Sequence, residues 1–247
     1  SASRIIAQSP GMREGVISAG YSAERVISIP NSADLDWYRV PASVGESFLA
    51  ENPHLAGGPL IVYIGTIGVI NAVEYLAEIA AEMRLLDPSV RFLAVGDGKH
   101  RPQVIERAKA LGVWETSFWW MPQRARRETV AILSAAAVST SLFQDIPAMW
   151  HNSASKFFDA LAAGRPILIN YQGWQADLIR ETGVGLVVPP NDAAAAARQL
   201  HAFLQNATDQ DAARAAAVHL ADQHYNRQTL VRETLAIFDE VLLNAPR

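Results

Sequence analysis

The sequence contains no cysteine. That excludes a disulfide framework, thiol chemistry and any thiolate metal site, and it fits a reducing cytoplasm. A basic surplus is also missing, since 21 Lys and Arg stand against 25 Asp and Glu for a net charge of -4 at pH 7. With its basic residues scattered, the chain offers no face for a phosphate backbone, so no nucleic-acid partner is expected. No apolar run approaches the ~18 residues of a membrane span. The start lacks the basic-then-apolar pattern of a signal segment, and the chain reads as soluble. Neither a Gly-x-Gly-x-x-Gly nor a Walker Gly-Lys-Ser/Thr stretch occurs. No histidine spacing suits a metal, so none is expected.

What the chain has is length and apolar content. Its 247 residues, 50 % of them hydrophobic, suffice for one large domain or one domain with an appendage. It opens on Ser1-Ala2 rather than Met and reads as a piece of a longer protein.

From Gly58 onward, short β-branched or aromatic runs alternate with segments of helical spacing. Strands are expected at Leu60 to Ile64, Arg91 to Val95, Ser117 to Trp120, Val138 to Leu142, Pro166 to Asn170 and Gly185 to Val188. Helices are expected near 72–86, 101–111, 126–135, 154–163, 174–182 and 192–204. Such alternation gives an α/β fold: a doubly wound, Rossmann-like parallel sheet with helices on both faces. The flanks differ. A strand over 3–9, a helix over 10–20 and a strand from Arg25 to Pro30 form a piece too small to bury its own core. Residues 209–244 read as one or two amphipathic helices with Leu230, Leu235, Ile237, Phe238, Val241 and Leu242 as the apolar stripe.

Ligands of doubly wound sheets sit outside the carboxyl ends of the strands. There the sequence places Gly65-Thr66-Ile67-Gly68, then Gly96-Asp97-Gly98-Lys99, then the loop from Gln144 to Lys156. The glycines would let backbone N–H groups approach a ligand, although a strand-Gly-Asp-Gly turn also serves simply to redirect the chain. In "HNSASKFFDALAAGRP", residues 151–166, Ser153 or Ser155 is expected to cap a helix that stops at Gly164 and Pro166. A helix start is also an anion site, and Lys156 adds a full positive charge there. Asp159 shares the face of Ser155 and Lys156 and suits a ribose diol rather than a phosphate. Phosphate at the helix start and ribose at the carboxylate make a nucleoside diphosphate footprint. The spacing fits equally a surface Asp159–Lys156 pair on a core helix. His151 reads as a loop histidine or as a base. Trp119, Trp120 and Trp150 read as packing residues.

"VISIPNSADLDWYRV", "IVYIGTIGVINAVEYLAEIA", "FLAVGDGKHRPQV", "SASKFFDALAAGRPILI" and "ETGVGLVVPPND" resemble, in order and spacing, the C-terminal half of retaining GT-B glycosyltransferases of the bacterial cell-surface polysaccharide type (group 1, family 4 like). The resemblance runs from about residue 3 to the C-terminus. It implies that 1–35 is a remnant of a preceding N-terminal domain plus hinge, 36–222 the Rossmann-like nucleotide-sugar-binding domain, and 223–247 a C-terminal helix packing back towards the N-terminal side. Aligned on "KFFDALAAGRP", the second Glu of the family's donor motif falls at Asp159 and the first at His151, which leaves the catalytic group unassigned with His151 as its candidate. The "ASK" of Ala154 to Lys156 is similar to a branch with Pro-Ser-Lys there. Thr66 and Asn71 stand where many members carry a diphosphate-gripping Arg and Lys, and Lys156, Lys99 and helix-start N–H groups would compensate.

The resemblance thus implies donor contacts from Gly65, Thr66, Asn71, Gly96, Asp97, Gly98, Lys99, Met121, Gln123, Ser153, Ser155, Lys156 and Asp159. The donor would be a UDP- or GDP-type sugar with no tightly bound cofactor. The implied activity is transfer of a hexose-type sugar to a glycan or lipid-linked acceptor, held mainly by the other domain, in cell-surface polysaccharide or lipopolysaccharide biosynthesis. A cytoplasmic site at the inner membrane face, through peripheral association, would follow. Two other readings stand beside it: a sugar-nucleotide epimerase of the same fold, and a non-catalytic GT-B-like binding subunit.

Overall fold

The computed structural model describes residues 2–243. Residue 1 and residues 244–247, which the sequence reading includes in the first and last segments, lie outside the described residues. A six-stranded sheet is built from β3 (Leu60–Ile64), β4 (Arg91–Val95), β5 (Phe118–Met121), β6 (Val138–Ser141), β7 (Ile167–Ile169) and β8 (Gly185–Val187). Its order is β5-β4-β3-β6-β7-β8, with every pairing parallel. Crossover helices α4 (Val73–Leu86), α5 (Arg101–Ala110), α6 (Arg126–Ala135), α7 (Ser155–Ala162), α8 (Trp174–Thr182) and α9 (Ala193–Gln205) alternate with the strands. The order turns outward in both directions from β3 and β6, so the crevice beyond their carboxyl ends is the topological switch point.

Successive side chains of a strand face opposite sides, and β3 shows the consequence. Leu60 and Val62 enter one apolar core with α6, α7 and α8, while Ile61 and Tyr63 enter the other with α4, α5 and α9. Both faces are covered, which is why β3, β4, β5 and β7 read as apolar runs rather than as alternating ones; β6, which reads Val-Ser-Thr-Ser, is equally buried.

Two helices that the sequence did not announce, α2 (Leu35–Tyr38) and α3 (Ala42–Glu51), pack on α6. The expected C-terminal helices are two, α10 (Ala207–Gln223) and α11 (Arg227–Leu243). At the other end, β1 (Ile5–Ala7) and β2 (Val26–Ser28) pair in parallel around α1 (Pro10–Ser18). Of the expected apolar stripe of α11 only Leu230 and Ile237 are buried, forming a separate core with Ile29 and with Ile6 and Ile27 against it. Leu235, Phe238 and Leu242 stay exposed because the small sheet covers only one narrow side of the helix. Arg4 and Glu240 join the two by an ion pair.

Candidate functional site

The helix α7 is anchored from behind. Phe157 and Phe158 are fully buried with their rings edge to face at 5.5 Å, and Trp174 and Tyr225 close around them. Burial of two aromatic side chains is worth several kcal/mol and fixes the amino end of α7 beside the switch point. Lys156 extends from that end over the carboxyl end of β3. Its Nζ lies 5.1 Å from the ring centroid of Tyr63 and 5.3 Å from that of Phe143. A Cβ added at Gly65 would stand 3.0 Å from Lys156 Cε, so the glycine leaves the room through which the lysine reaches the crevice. Among the described residues Lys156 has no hydrogen-bond or ion-pair partner. Burial lowers its pKa to about 8, and Asp159 acts against that shift. An unpaired, desolvated cation beside the free N–H groups of a helix start is built to receive an anion.

Asp159 looks into a neighbouring cavity of about 360 Å³ that it shares with Ser155, Asn31, Ser32, Tyr38, Arg126 and Arg227. Burial raises its pKa to about 6, a hydrogen bond from Tyr38 and the charges of Arg126 and Arg227 oppose the rise, and the negative charge of Asp34 adds to it. A second cleft, about 230 Å³, is lined by Gly65, Thr66, Gly96, Asp97, Gln123, Arg124 and Thr129. Lys156 lies behind Gly65 of this second cleft and three residues before Asp159 on α7. The structure therefore brings Lys156, Gly65, Thr66, Gly96, Asp97 and Gln123 to the crevice, with Ser155 and Asp159 beside it.

Several expected contributors are used otherwise. Ser153 does not cap α7, whose N-cap Ala154 has no capping side chain. The Ser153 hydroxyl instead accepts the backbone N–H of Asn31 at 3.0 Å, and Asn31 Nδ2 donates to the Ser153 carbonyl and, at 3.4 Å, to Ser155 Oγ. Asn71 is buried, and its side-chain oxygen accepts from Gly68 N at 3.3 Å, closing its own turn. The carbonyl of Met121 accepts from Gly96 N at 3.0 Å, and its side chain lines a different groove between α3 and α6. Asp97 accepts from Gly98 N and from Arg101, which ties the start of α5. Gly96 and Gly98 are held against carbonyls of the preceding loop, where a Cβ would collide with Gly65 O and Ile67 O. Their freedom serves loop against loop. Lys99 is exposed. The imidazole of His151 rests on Gly11 of α1, and its carbonyl accepts from Ser9 Oγ at 2.5 Å; none of its described contacts reaches Lys156 or Asp159.

Residues that local reading missed surround Asp159. Tyr38, Arg126 and Arg227 come from α2, α6 and α11, and the buried Asp34 pairs with both arginines, at 3.1 Å and 2.6 Å. Asp34 and Tyr38 lie in the stretch "VISIPNSADLDWYRV" that carries the resemblance, but nothing local in the sequence joins them to Arg126 or Arg227. Among the described residues no group of three or more His, Cys, Asp or Glu is placed to hold a metal ion, and no helix is long and apolar enough to cross a membrane.

With this geometry in hand, known proteins give it a context. A D-inositol 3-phosphate glycosyltransferase from Nocardia farcinica is 29 % identical over 192 residues, covering 75 % of this chain and 41 % of the relative. An alpha-D-kanosaminyltransferase from Streptomyces kanamyceticus is 24 % identical over 172 residues, covering 68 % and 42 %. The chain thus spans about two-fifths of the length of these relatives. Among solved structures, Anabaena Alr3699/HepE in complex with UDP-glucose superposes with a TM-score of 0.81 at 18 % identity, over 95 % of this chain and 64 % of that one, which establishes the shared GT-B-type fold. The model of the glycosyl transferases group 1 family matches residues 58–206, a stretch that holds the whole switch-point crevice from Gly65 to Asp159, and to that family the chain belongs.

Proposed function

We infer that this chain is the donor-binding part of a nucleotide-sugar-dependent glycosyltransferase. The observation that carries the reading is the unpaired Lys156 ammonium at the switch point, next to a carboxylate that faces a cavity of about 360 Å³. A diphosphate would lie on Lys156 and the first N–H groups of α7, and the ribose hydroxyls would donate to Asp159. The base would occupy the cleft of Gly96 and Gln123. UDP-glucose is what the Anabaena neighbour holds, and a UDP- or GDP-type hexose donor suits these subsites. As the glycosidic bond to the diphosphate breaks, negative charge grows on the departing phosphate, and the fixed cation of Lys156 stabilises that charge more than the bound ground state. An acceptor hydroxyl, from a glycan or lipid-linked substrate held mainly by a preceding domain, would take the sugar. Bacterial cell-surface polysaccharide synthesis at the cytoplasmic face of the membrane is the setting this reading favours. The inward turn of Asn71 and the placement of His151 on α1 favour the alternative of a non-catalytic binding subunit, which shares the donor site.

Calorimetric titration of UDP, GDP, ADP, CDP and dTDP into the parent, Asp159→Ala and Lys156→Met tests the inference. One nucleotide is expected to bind the parent and to lose about tenfold or more in each variant. Absence of binding by all of them at millimolar concentration would overturn it.

A further inference from the structure

The stretch Asn31–Tyr38 lies outside the six-stranded sheet, yet it is stitched to every element that surrounds Asp159. Asn31 holds the approach to α7 through Ser153 and Ser155. Ala33 exchanges backbone hydrogen bonds with the start of α11, accepting from Arg227 N at 3.0 Å and donating to Tyr225 O at 2.7 Å. Asp34, only 6 % exposed, pairs with Arg126 at the start of α6 and with Arg227 at the start of α11. Both guanidiniums line the Asp159 cavity. Arg126 is held further by the rings of Trp37 and Tyr38, at 5.5 Å and 5.7 Å.

We propose that Asp34 is a positioning residue of the donor site, holding Arg126 and Arg227 at the rim of the cavity so that the carboxylate of Asp159 stays open to a ribose diol. This rests on the donor reading given above. A single carboxylate bonded to two guanidiniums keeps them from closing on the second carboxylate. Without Asp34 the arginines are free to fold onto Asp159 and fill the oxygens that the sugar hydroxyls need. Without the arginines, the charge of a half-buried Asp159 loses its support. In either case the ribose contact is lost while the phosphate contact at Lys156 persists. A role limited to fold maintenance would weaken both contacts together.

The test compares inorganic pyrophosphate with whichever of UDP, GDP, ADP, CDP and dTDP the parent binds, each titrated into the parent, Asp34→Asn, Asp159→Asn and the double variant. The expected result is a loss of about tenfold for whichever nucleotide the parent binds in Asp34→Asn, pyrophosphate affinity within about twofold of the parent, and no further nucleotide loss when Asp34→Asn is added to Asp159→Asn. Arg126→Gln and Arg227→Gln, whose side chains are 38 % and 46 % exposed, carry the same comparison if Asp34→Asn does not fold. Unchanged nucleotide affinity, or equal loss for nucleotide and pyrophosphate, overturns the positioning role alone. A parent that binds none of the five nucleoside diphosphates overturns the donor reading, and this proposal falls with it.

Discussion

At the scale of single residues, Lys156 and Asp159 are each held in the charge state their surroundings resist. Burial brings the lysine down to about 8 and the aspartate up to about 6. A nucleoside diphosphate that needs the ammonium protonated and the carboxylate ionised should therefore bind best between those values. Titrations from pH 5 to 9 are expected to give a bell with falling affinity on both sides, and a flat profile would exclude the pair as its anchors. The same desolvation burdens the fold. The unfolded chain keeps the lysine proton up to about 10.5 while the folded chain releases it near 8, so the parent gains stability as pH rises between those values. Lys156→Met should accordingly melt higher than the parent below pH 8, with an advantage that shrinks towards pH 10.5, while losing nucleotide binding. Higher stability joined to lost function marks a residue kept for its ligand.

At the scale of elements, the strands were legible because both faces of the sheet are buried and most of them are dense apolar runs, while β6, which reads Val-Ser-Thr-Ser, is buried as well and stood out only by its β-branched Val138 and Thr140. The helix α8 was legible to the residue: Gly183, at φ 68°, ends it as the sequence suggests. What escaped was non-local. The helix α3 carries Gly45 in its middle, a poor helix former, and the reason lies in another element: a Cβ there would collide with the backbone of Ser134 and Ala135 in α6. Ser153 met every local requirement of a cap, yet its hydroxyl serves Asn31, 122 positions away. The crevice residues Gly65, Lys156 and Asp159 could be read because helix spacing and strand ends place them. Asp34, Arg126 and Arg227 could not, since only the folded chain brings α2, α6 and α11 to one point. The turn into α4 holds a further consequence. Ala72 sits at φ 45° and ψ 41°, a left-handed conformation that costs a non-glycine residue roughly 1–2 kcal/mol. Ala72→Gly is expected to raise unfolding free energy by about 0.5–1 kcal/mol after the added chain entropy is counted, measured by urea denaturation; a net loss would mean that the methyl group has a packing role.

At the scale of the whole molecule, two bodies of unequal strength share one chain. The six-stranded sheet is sealed by large apolar clusters on both faces, whereas β1, β2 and α11 rest on Ile29, Leu230 and Ile237 with Ile6 and Ile27. Unequal burial predicts unequal opening. Hydrogen exchange should release the amides of β1, β2 and α11 well before those of β3, β4 and β6, and equal protection would show that the small sheet borrows its stability from elsewhere. The stretch from Asn31 to Tyr38 runs between the small sheet and the large one, along the cavity where the donor is expected to bind. A crystal structure of the chain with its preferred nucleoside diphosphate would locate that donor. A phosphate oxygen is expected about 2.7–3.2 Å from Lys156 Nζ and a ribose hydroxyl at the same range from Asp159. A nucleotide seated in the groove between α3 and α6, or with its phosphates away from Lys156, would contradict this placement.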